Sequence, residues 1–495
     1  MYYKDRALDQ LLSVLQLFNI KIFSTGGTLA YIHSKGYEAT AVEDITSFPS
    51  ILGGRVKTLH PTVFGGILAR RDHENDLKEL AQFNIETIDL VVVDLYPFEE
   101  TVTNTSVEQE IIEKIDIGGI SLIRATAKNY KDTAIICRND QYEVVSKLLS
   151  EQEGRLTEGQ RRHLATAAFA TTAHYDMAIR SYFEPITMQS FQVSVPQQQI
   201  LRYGENPHQR GWFYGHLDAV FDKLNGKELS YNNLVDIDAG VHLIREFEEP
   251  TFAILKHTNP CGVASRAILS EAWEAALAAD PISAFGGVLI ANRKIDLATA
   301  QKIDALFFEV LIAPEYDEDA LTLFIKKKNR IILRQKIRDF QPIQYKSLLN
   351  GVLVQDFDQK TENFKDLNAI TEKIPSQDEY ADLIFAVKVV KHLKSNTIVL
   401  AKNGQMLGMG CGQTSRVDAL QQAIHKAKSF GFDLQGAVMA SDAFFPFPDC
   451  VEIAHLAGIS AISQPGGSVK DSLSIDYCNH NGVAMVFTNT RHFKH

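Results

Sequence analysis

Residues 252–262 read FAILKHTNPCG, an apolar run that stops at Lys256 and His257 and then meets Asn259-Pro260. A short apolar run that ends in polar and turn-forming residues is typical of a buried strand. The pattern predicts a strand with two titratable side chains at its carboxyl end, followed by a turn at Asn259-Pro260. Open α/β sheets bind their ligands at the carboxyl ends of their strands. The Lys256 ammonium would disfavour a second positive charge, so the His257 imidazole could accept a proton near neutral pH. A surface lysine beside a structural histidine is the alternative.

The composition is that of an ordinary globular protein. Of 495 residues, 45% are hydrophobic and 22% are charged, enough for about two to four domains. The net charge of −11 argues against nucleic acid or an anionic membrane as the main partner. Five cysteines without a CxxC pair indicate neither a disulfide framework nor a zinc cluster. No signal-peptide pattern or membrane-length apolar run occurs, so we expect a soluble cytoplasmic protein.

Two loops in the first segment, about residues 1–190, favour anion binding. A strand-like run at 20–23 leads into Thr25-Gly26-Gly27-Thr28, and residues 53–61 read GGRVKTLHP. A glycine-hydroxyl loop between a strand and a helix points backbone N–H groups at a phosphate. In the second loop Arg55, Lys57 and Thr58 could offer a guanidinium fork, a point charge and a hydroxyl to one anion. A tight turn and a solvated basic loop are the alternatives.

A buried strand is expected at 88–95, and it ends at Tyr96, whose hydroxyl could face a ligand. Asp116 precedes Gly118-Gly119 and a helical run in which Arg124 and Lys128 share a face. An N-cap and a solvated stripe are the alternatives for these groups. The alternation of strands and helices predicts a doubly wound α/β domain, and the stretch from Pro185 to Gln199 is typical of a linker.

The second segment, about residues 200–495, again alternates strands and helices. Asn403-Gly404, between apolar runs at 397–401 and 405–409, is a strong signal for a β-hairpin. The aromatic cluster at 444–447 could be a corner of the core or the wall of a site for a flat ring. No internal repeat stands out in the sequence.

Several short motifs occur in a specific order along the chain. GGRVKTLHP, IDIGG, RYGENPHQ, KHTNPCG, SAFGG and SDAFFPF resemble those of the bifunctional purine-biosynthesis family that couples AICAR transformylase to IMP cyclohydrolase, from near Leu8 to His495. The resemblance implies a methylglyoxal-synthase-like doubly wound domain at 1–190. It also implies a transformylase domain at 200–495, made of two cytidine-deaminase-like α/β halves that divide at about 360. Transformylase sites across a homodimer are implied as well.

The resemblance also assigns residues to the two reactions, with 10-formyltetrahydrofolate as co-substrate and no metal or tightly bound cofactor. The residues implied in ring closure are Lys57, Tyr96, Asp116 and Lys128, and those in formyl transfer are Lys256, His257 and Asn396. The residues implied in substrate binding are Thr25, Gly26, Gly27, Thr28, Arg55, Thr58, Arg202, Tyr203, Glu309, Arg416, Phe444, Pro446, Asn489 and Arg491.

The implied chemistry suits these residue types. The 5-amino group of AICAR is a poor nucleophile, so its attack on a formyl carbon needs a base, for which His257 is suited. Asn396 could donate to the developing oxyanion, an interaction that contributes roughly 3 to 4 kcal/mol in comparable sites. Ring closure is intramolecular, so orientation should matter most, with Lys128 donating to the formyl oxygen and Asp116 taking a proton from the carboxamide.

Two alternatives remain open and a third is disfavoured. Members of the family usually begin with a strand and a Ser-x-Ser-Asp-Lys-Thr loop, where this chain has residues 1–5, MYYKD. Either the start lies upstream or the phosphate cradle is incomplete, which would leave a transformylase with an impaired cyclohydrolase and Lys4 as a phosphate contact. A zinc deaminase would need a second cysteine shortly after Pro260-Cys261, and none occurs. A non-catalytic nucleotide-binding scaffold would not need His257.

Overall fold

The computed structural model describes residues 4, 6–183, 191–195, 198–336 and 342–495. They belong to two units, Met1–Pro196 and Gln197–His495, called unit 1 and unit 2 below. Met1 to Tyr3, Asp5 and much of the expected linker, including Pro185, lie outside the described residues. No described helix is long and apolar enough to cross a membrane.

Unit 1 combines short parallel strands with surrounding helices. Its first helix forms because four leucines recur on one face, and all four are buried. The strands are β1 (Phe23–Ser24), β2 (Thr40–Ala41), β3 (Leu90–Val92) and β4 (Ala134–Ile136). The helices are α1 (Arg6–Leu17), α2 (Gly26–Ser34), α3 (Val42–Thr46), α4 (Pro61–Leu68), α5 (Glu74–Gln82), α6 (Phe98–Asn104), α7 (Glu108–Ile112), α8 (Gly118–Lys128), α9 (Asp140–Glu151) and α10 (Glu158–Phe183).

The strands of unit 1 form two parallel pairs, β1 with β2 and β3 with β4. The strands expected at 20–23 and 88–95 are present but shorter. Regular pairing begins only at Phe23, although the Thr40 N–H still donates to the Ile22 carbonyl at 2.8 Å. Among the described residues, β1 and β3 each have a hydrogen-bonded neighbour strand on one side only.

Unit 2 is built on one mixed sheet of twelve described strands, in the order β15-β20-β19-β18-β16-β17-β9-β8-β10-β11-β12-β7. The first half supplies β7 (Phe221–Asn225), β8 (Thr251–Lys256), β9 (Asn259–Ser265), β10 (Val288–Ala291), β11 (Val310–Ala313) and β12 (Ile331–Gln335). The second half supplies β15 (Asn368–Ala369), β16 (Ile398–Lys402), β17 (Gln405–Gly410), β18 (Val438–Ser441), β19 (Ala461–Gln464) and β20 (Ala484–Phe487). The halves join where β9 pairs with β17.

Helices cover both faces of this sheet, so its inner strands are buried on both sides, whereas the edge strands β7 and β15 are more exposed. Ala253 and Leu255 of β8 belong to one core cluster, whereas Phe252 and Ile254 belong to another on the opposite face. The helices are α11 (Tyr231–Ile244), α12 (Leu269–Ala279), α13 (Leu297–Asp304), α14 (Glu318–Ile325), α15 (Gln377–Val390), α16 (Arg416–Ser429), α17 (Asp449–Leu456) and α18 (Asp471–Asn481).

The two halves repeat one pattern, which the sequence analysis did not detect. Reading outward from the β9–β17 junction, each half has its hairpin strands, then three further strands, then its first strand at the edge. Ser230 and Ser376 each cap a helix with a capping box. Gly262 follows Ser230 by the same number of residues as Gly408 follows Ser376. A Cβ on Gly262 would collide with the Ala276 carbonyl, and one on Gly408 with the Ala423 carbonyl, both in helices. The repeat is therefore structural, with little shared sequence.

Two further hairpins lie outside the large sheet. β5 (Gln198–Leu201) pairs with β6 (Gly211–Tyr214), and β13 (Ile343–Leu348) pairs with β14 (Gly351–Asp356). The sequence analysis did not predict the β13–β14 hairpin. Its residues are almost all exposed.

Candidate active sites

The hairpin β8–β9 turns at His257-Thr258, so the prediction of a turn at Asn259-Pro260 is wrong. Lys256 pairs with Asn259 across the hairpin, and Pro260 lies in β9 opposite Leu255. His257 and Thr258 have φ of 52° and 66°, because a two-residue type I′ turn needs positive φ at both positions. The proline is tolerated beside a register shift in the pairing.

This turn holds His257 and Thr258 in a backbone conformation that non-glycine residues seldom adopt. Positive φ costs a non-glycine residue roughly 1 to 2 kcal/mol, and a β-branched threonine is an outlier there. The Asp236 carboxylate of α11 offsets part of that cost, since Oδ1 accepts the Thr258 N–H at 2.6 Å and the carboxylate also accepts the His257 N–H. Burial raises the pKa of Asp236, against these hydrogen bonds and the nearby Lys256 and His257. Asp236 was missed by the sequence analysis.

Lys256 is fixed on the other side of the turn. Its ammonium donates to the Phe285 carbonyl at 2.6 Å. A Cβ on Gly286 would lie 3.4 Å from that nitrogen. The SAFGG motif at 283–287 therefore holds the ammonium with backbone atoms, which explains why a glycine follows Phe285.

A chain of hydrogen bonds links the turn to the second half. Asn259 donates from Nδ2 to the His257 carbonyl at 3.0 Å, and its Oδ1 accepts from Cys411 Sγ at 3.6 Å. Two residues beyond Cys411, the Gln413 carbonyl accepts both the backbone N–H and Nδ2 of Asn396, at 3.1 and 3.0 Å. Lys256, His257 and Asn396 thus share one end of the sheet, and one N–H of the Asn396 amide is left for a ligand.

The residues predicted to bind substrate surround this end. Arg416, the first residue of α16, lies 3.4 Å from Asp442 Oδ1, a carboxylate that follows β18. The guanidinium groups of Arg416 and Arg491 both lie over the Phe493 ring, at 5.8 and 4.5 Å from its centre. Asp442 and Phe493 were not singled out in the sequence, because nothing local marks them.

The remaining predicted residues lie in loops next to these elements. Phe444 and Pro446 follow β18 and are exposed. The Asn489 N–H donates to the Pro465 carbonyl at 3.2 Å, so this residue follows β20 at the carboxyl ends of the parallel strands. Glu309 forms an ion pair of 2.8 Å with Lys227. Arg202 lies over the Tyr203 ring at 5.5 Å, in a loop that Asn232 ties to α11 through the Glu205 carbonyl at 3.1 Å.

The chain's last residues hold the Asn396 loop. The Ser395 N–H donates to the Lys494 carbonyl at 2.9 Å, and the Lys494 N–H donates to Ser395 Oγ at 3.1 Å. The buried His492 lies between these contacts and Asp442. It forms ion pairs with Asp358 at 2.6 Å and with Glu362 at 3.1 Å. Burial opposes the charge on this ring, but the two carboxylates outweigh it and raise the pKa of His492 to about 9.

Unit 1 contains a separate cavity of about 1460 Å³. The amino ends of α2 and α8 open onto it, which presents backbone N–H groups to an anion. Its inner part is apolar and is bounded by α1 and by the edges of β1 and β3. The predicted residues at its mouth are Thr25, Gly27, Thr28, Arg55, Lys57, Thr58, Tyr96 and Asp116, with Lys4 beside them.

The basic loop of unit 1 faces these amino ends. A Cβ on Gly26 would lie 3.5 Å from Lys57 Nζ, and one on Gly118 would lie 3.4 Å from Thr58 Oγ1. Lys57 therefore lies at the start of α2 and Thr58 at the start of α8. Arg55 is paired with Glu113 at 2.5 Å at the exposed rim.

Asp116 has a structural role that fits the capping alternative. Its Oδ1 accepts the Gly119 N–H at 2.6 Å, and the Tyr96 N–H donates to the same carboxylate. Burial raises the pKa of Asp116 despite these bonds. Burial also raises the pKa of Tyr96, with the Asp116 charge as a second cause. A carboxylate with a raised pKa is a better proton acceptor, so capping and catalysis are compatible here.

Lys128 does not line this cavity. It is exposed at the last turn of α8, about 15 Å along the helix from Gly118. The sequence analysis already placed Lys128 in the helix that follows Asp116, and the rise of that helix accounts for the separation.

Comparison with known proteins identifies the family. The model described as "AICARFT/IMPCHase bienzyme" matches residues 126–426, more than half of the chain, and an "MGS-like domain" matches residues 8–121. A protein of Bacteroides thetaiotaomicron named "Bifunctional purine biosynthesis protein PurH" is 58% identical over 100% of this chain and 97% of its own length. The chain belongs to the AICARFT/IMPCHase bienzyme family.

Other members of the bienzyme family give the same result. Proteins of the same name from Aquifex aeolicus and Caldicellulosiruptor saccharolyticus are 47% and 46% identical over 100% of this chain, and over 99% and 98% of their own lengths. A solved structure titled "Crystal structure of ForH" is 32% identical over 36% of this chain and 91% of that chain, with a TM-score of 0.32.

Proposed function

We propose that this chain carries out both reactions of the bienzyme family in purine biosynthesis. Unit 2 transfers a formyl group from 10-formyltetrahydrofolate to the 5-amino group of AICAR. Unit 1 closes formyl-AICAR to IMP with loss of water. The observation that carries the proposal is the strained His257-Thr258 turn, which shares one end of the sheet with Lys256 and Asn396.

In formyl transfer the AICAR amine attacks the formyl carbon and forms the new C–N bond. His257 takes the amine proton as the tetrahedral centre develops. The free N–H of Asn396 donates to the oxyanion, and Lys256, held by the Phe285 carbonyl, adds positive charge beside it. His257 then returns its proton to the folate nitrogen as the old C–N bond breaks, so the base is regenerated.

In ring closure the carboxamide nitrogen attacks the formyl carbon of the same molecule, so binding geometry supplies much of the rate. Asp116 is suited to take the carboxamide proton because burial raises its pKa. The carboxyl then passes this proton to the formyl oxygen, and the hydroxyl so formed leaves as water with the proton of the former formamide N–H. The amino ends of α2 and α8, with Lys57 and Thr58, would hold the nucleotide phosphate. A role for Lys128 requires another copy of the chain to bring it to this cavity, because it lies at the far end of α8.

Dimerisation is therefore part of the proposal. The hairpin β13–β14 exposes apolar side chains on both faces, among them Val352, Leu353 and Val354. A two-stranded hairpin is marginally stable alone in water, and such a patch is typical of a protein interface. A second copy that packs on this hairpin would cover it.

The dimer is tested by sedimentation equilibrium. The double variant Leu353→Glu/Val354→Glu should give the mass of one chain, where the unchanged protein gives two. Leu456→Glu, also at an exposed leucine but on α17, is the matched control and should stay dimeric. A single-chain mass for the unchanged protein would contradict the proposal.

All five cysteines lie in the described part of the chain and none is in a disulfide. Free thiols fit a reducing compartment and support a cytoplasmic location. Cys261 is buried and its Sγ donates to the Ile254 carbonyl at 3.5 Å. We propose that folate acts as a co-substrate that leaves after transfer and that catalysis uses no zinc. A stoichiometric tightly bound zinc found by metal analysis would count against that mechanism.

The function is tested by assaying the two half-reactions separately. His257→Ala should lower formyl transfer by about 10²- to 10⁴-fold, the usual contribution of a general base. The same variant should still close supplied formyl-AICAR, because that site lies in unit 1. Asp116→Asn provides the converse control. Normal transfer by His257→Ala would show that another group is the base.

A further inference from the structure

Asp236 and Asp382 occupy equivalent places in the two halves of unit 2. Each lies in the helix that begins at a serine capping box, α11 after Ser230 and α15 after Ser376. Asp382 accepts the N–H groups of Asn403 and Gly404 at 2.8 and 2.6 Å. Asp236 accepts those of His257 and Thr258. One carboxylate thus holds the two-residue turn of each hairpin.

The turns differ in how much they depend on that carboxylate. Asn403 and Gly404 are the residues that adopt positive φ most readily. Their carbonyls are also held from the other side by Arg266, whose Nη1 lies 2.7 Å from the Asn403 oxygen and 3.3 Å from the Gly404 oxygen. His257 and Thr258 are poorly suited to positive φ. The residue equivalent to Arg266 in the second half is Gly412, which has no side chain to hold them.

We propose that Asp236 is a positioning residue for formyl transfer, which holds the backbone of His257 and Thr258 so that the imidazole stays aimed at the substrate amine. The proposal rests on His257 being the base. Asp236 does not touch the substrate. Lys256 and His257 are the charged and titratable side chains that face it.

The test uses the repeat as an internal control. In Asp236→Asn and Asp382→Asn the side chain keeps one oxygen acceptor, so each variant loses one of two backbone hydrogen bonds at an equivalent turn. Asp236→Asn should lower kcat for transfer by about 10- to 100-fold, the cost of a misplaced catalytic group. KM for AICAR should change by less than about threefold, since the bound ground state is little altered. Asp382→Asn should leave transfer unchanged.

A further variant separates positioning from general stability. Adding Thr258→Gly to Asp236→Asn should restore part of kcat and also protect against unfolding, because glycine adopts positive φ without help.

Normal transfer by folded Asp236→Asn would overturn the inference, as would an equal loss in Asp382→Asn. If Asp236→Asn does not fold, the double variant with Thr258→Gly is compared with Thr258→Gly alone, and equal kcat would again overturn it. Loss of transfer in His257→Ala together with normal transfer in Asp236→Asn would leave the proposed function standing and remove only the role of Asp236.

Discussion

The hairpins β8–β9 and β16–β17 differ mainly at their turns. Both have a two-residue turn with positive φ, a register shift at the same place and an aspartate that accepts the turn N–H groups. One turn is Asn403-Gly404, which suits this geometry, and the other is His257-Thr258, which does not. Strained backbone persists where the surroundings enforce it, and it clusters at functional sites. The disfavoured residues therefore mark the hairpin that we propose supplies the base.

The largest effect is expected from making the first turn like the second. His257→Asn with Thr258→Gly should reduce formyl transfer by about 10²- to 10⁴-fold, because the base is lost. The same change should raise the free energy of unfolding, because both positions then suit positive φ. Transfer assays and urea unfolding on one preparation measure both. Lower stability would show that the His257-Thr258 turn is not strained.

A second difference lies in what covers the end of each hairpin. The Asn403 and Gly404 carbonyls accept from Arg266, whereas at the end of the sheet that carries His257 the segment that contains His492 holds the Asn396 loop. The folded-state pKa of His492 is raised to about 9 from the usual 6.5. Its stabilisation is therefore complete below about pH 6.5 and is lost as pH rises through 9, by roughly 3 kcal/mol in all.

Unfolding in urea across pH 6 to 10 measures this loss. His492→Gln should be less stable at pH 6 and should show a flatter profile through pH 9. The unchanged protein should lose stability only above about pH 6.5. An identical slope in both proteins would contradict a charged His492.

The smallest effect is expected from Thr258→Gly alone. Glycine keeps the His257 side chain and relieves roughly 1 to 2 kcal/mol of strain at one position. Its greater flexibility in the unfolded chain costs roughly 0.5 to 1 kcal/mol, so the free energy of unfolding should rise by at most about 1.5 kcal/mol. Transfer should fall only a few-fold, because the Asp236 contact to the backbone N–H remains. Gly404→Thr is the reciprocal control and should destabilise unit 2 without affecting transfer.

Local patterns predicted much of the fold. The Asn403-Gly404 hairpin and the apolar runs that became β8, β16 and β17 all follow from patterns of neighbouring residues along the chain. The turn after Lys256 was misassigned for the same reason, because Asn-Pro is the stronger local turn signal. Pairing with β9 and the Asp236 carboxylate, both distant in sequence, placed the turn two residues earlier.

The residues of the candidate sites also fall into two groups, those that local motifs predicted and those that only the fold brought together. Motif order pointed to Lys256, His257, Asn396 and the basic loop of unit 1, and the structure places the first three at one end of the sheet. Their catalytic and binding roles stay predictions. Asp236, Asp442 and Phe493 carry no local signal, and their positions depend on strand pairing and helix packing.

The sequence by itself determined the family, the alternation of strands and helices, and the residue types available for acid–base chemistry, because these depend on short motifs and their order. The tertiary structure decided which strands pair, that unit 2 is a repeat, and that Asp236 holds the His257-Thr258 turn. Those features arise from contacts between residues far apart along the chain, and no short stretch of sequence encodes them.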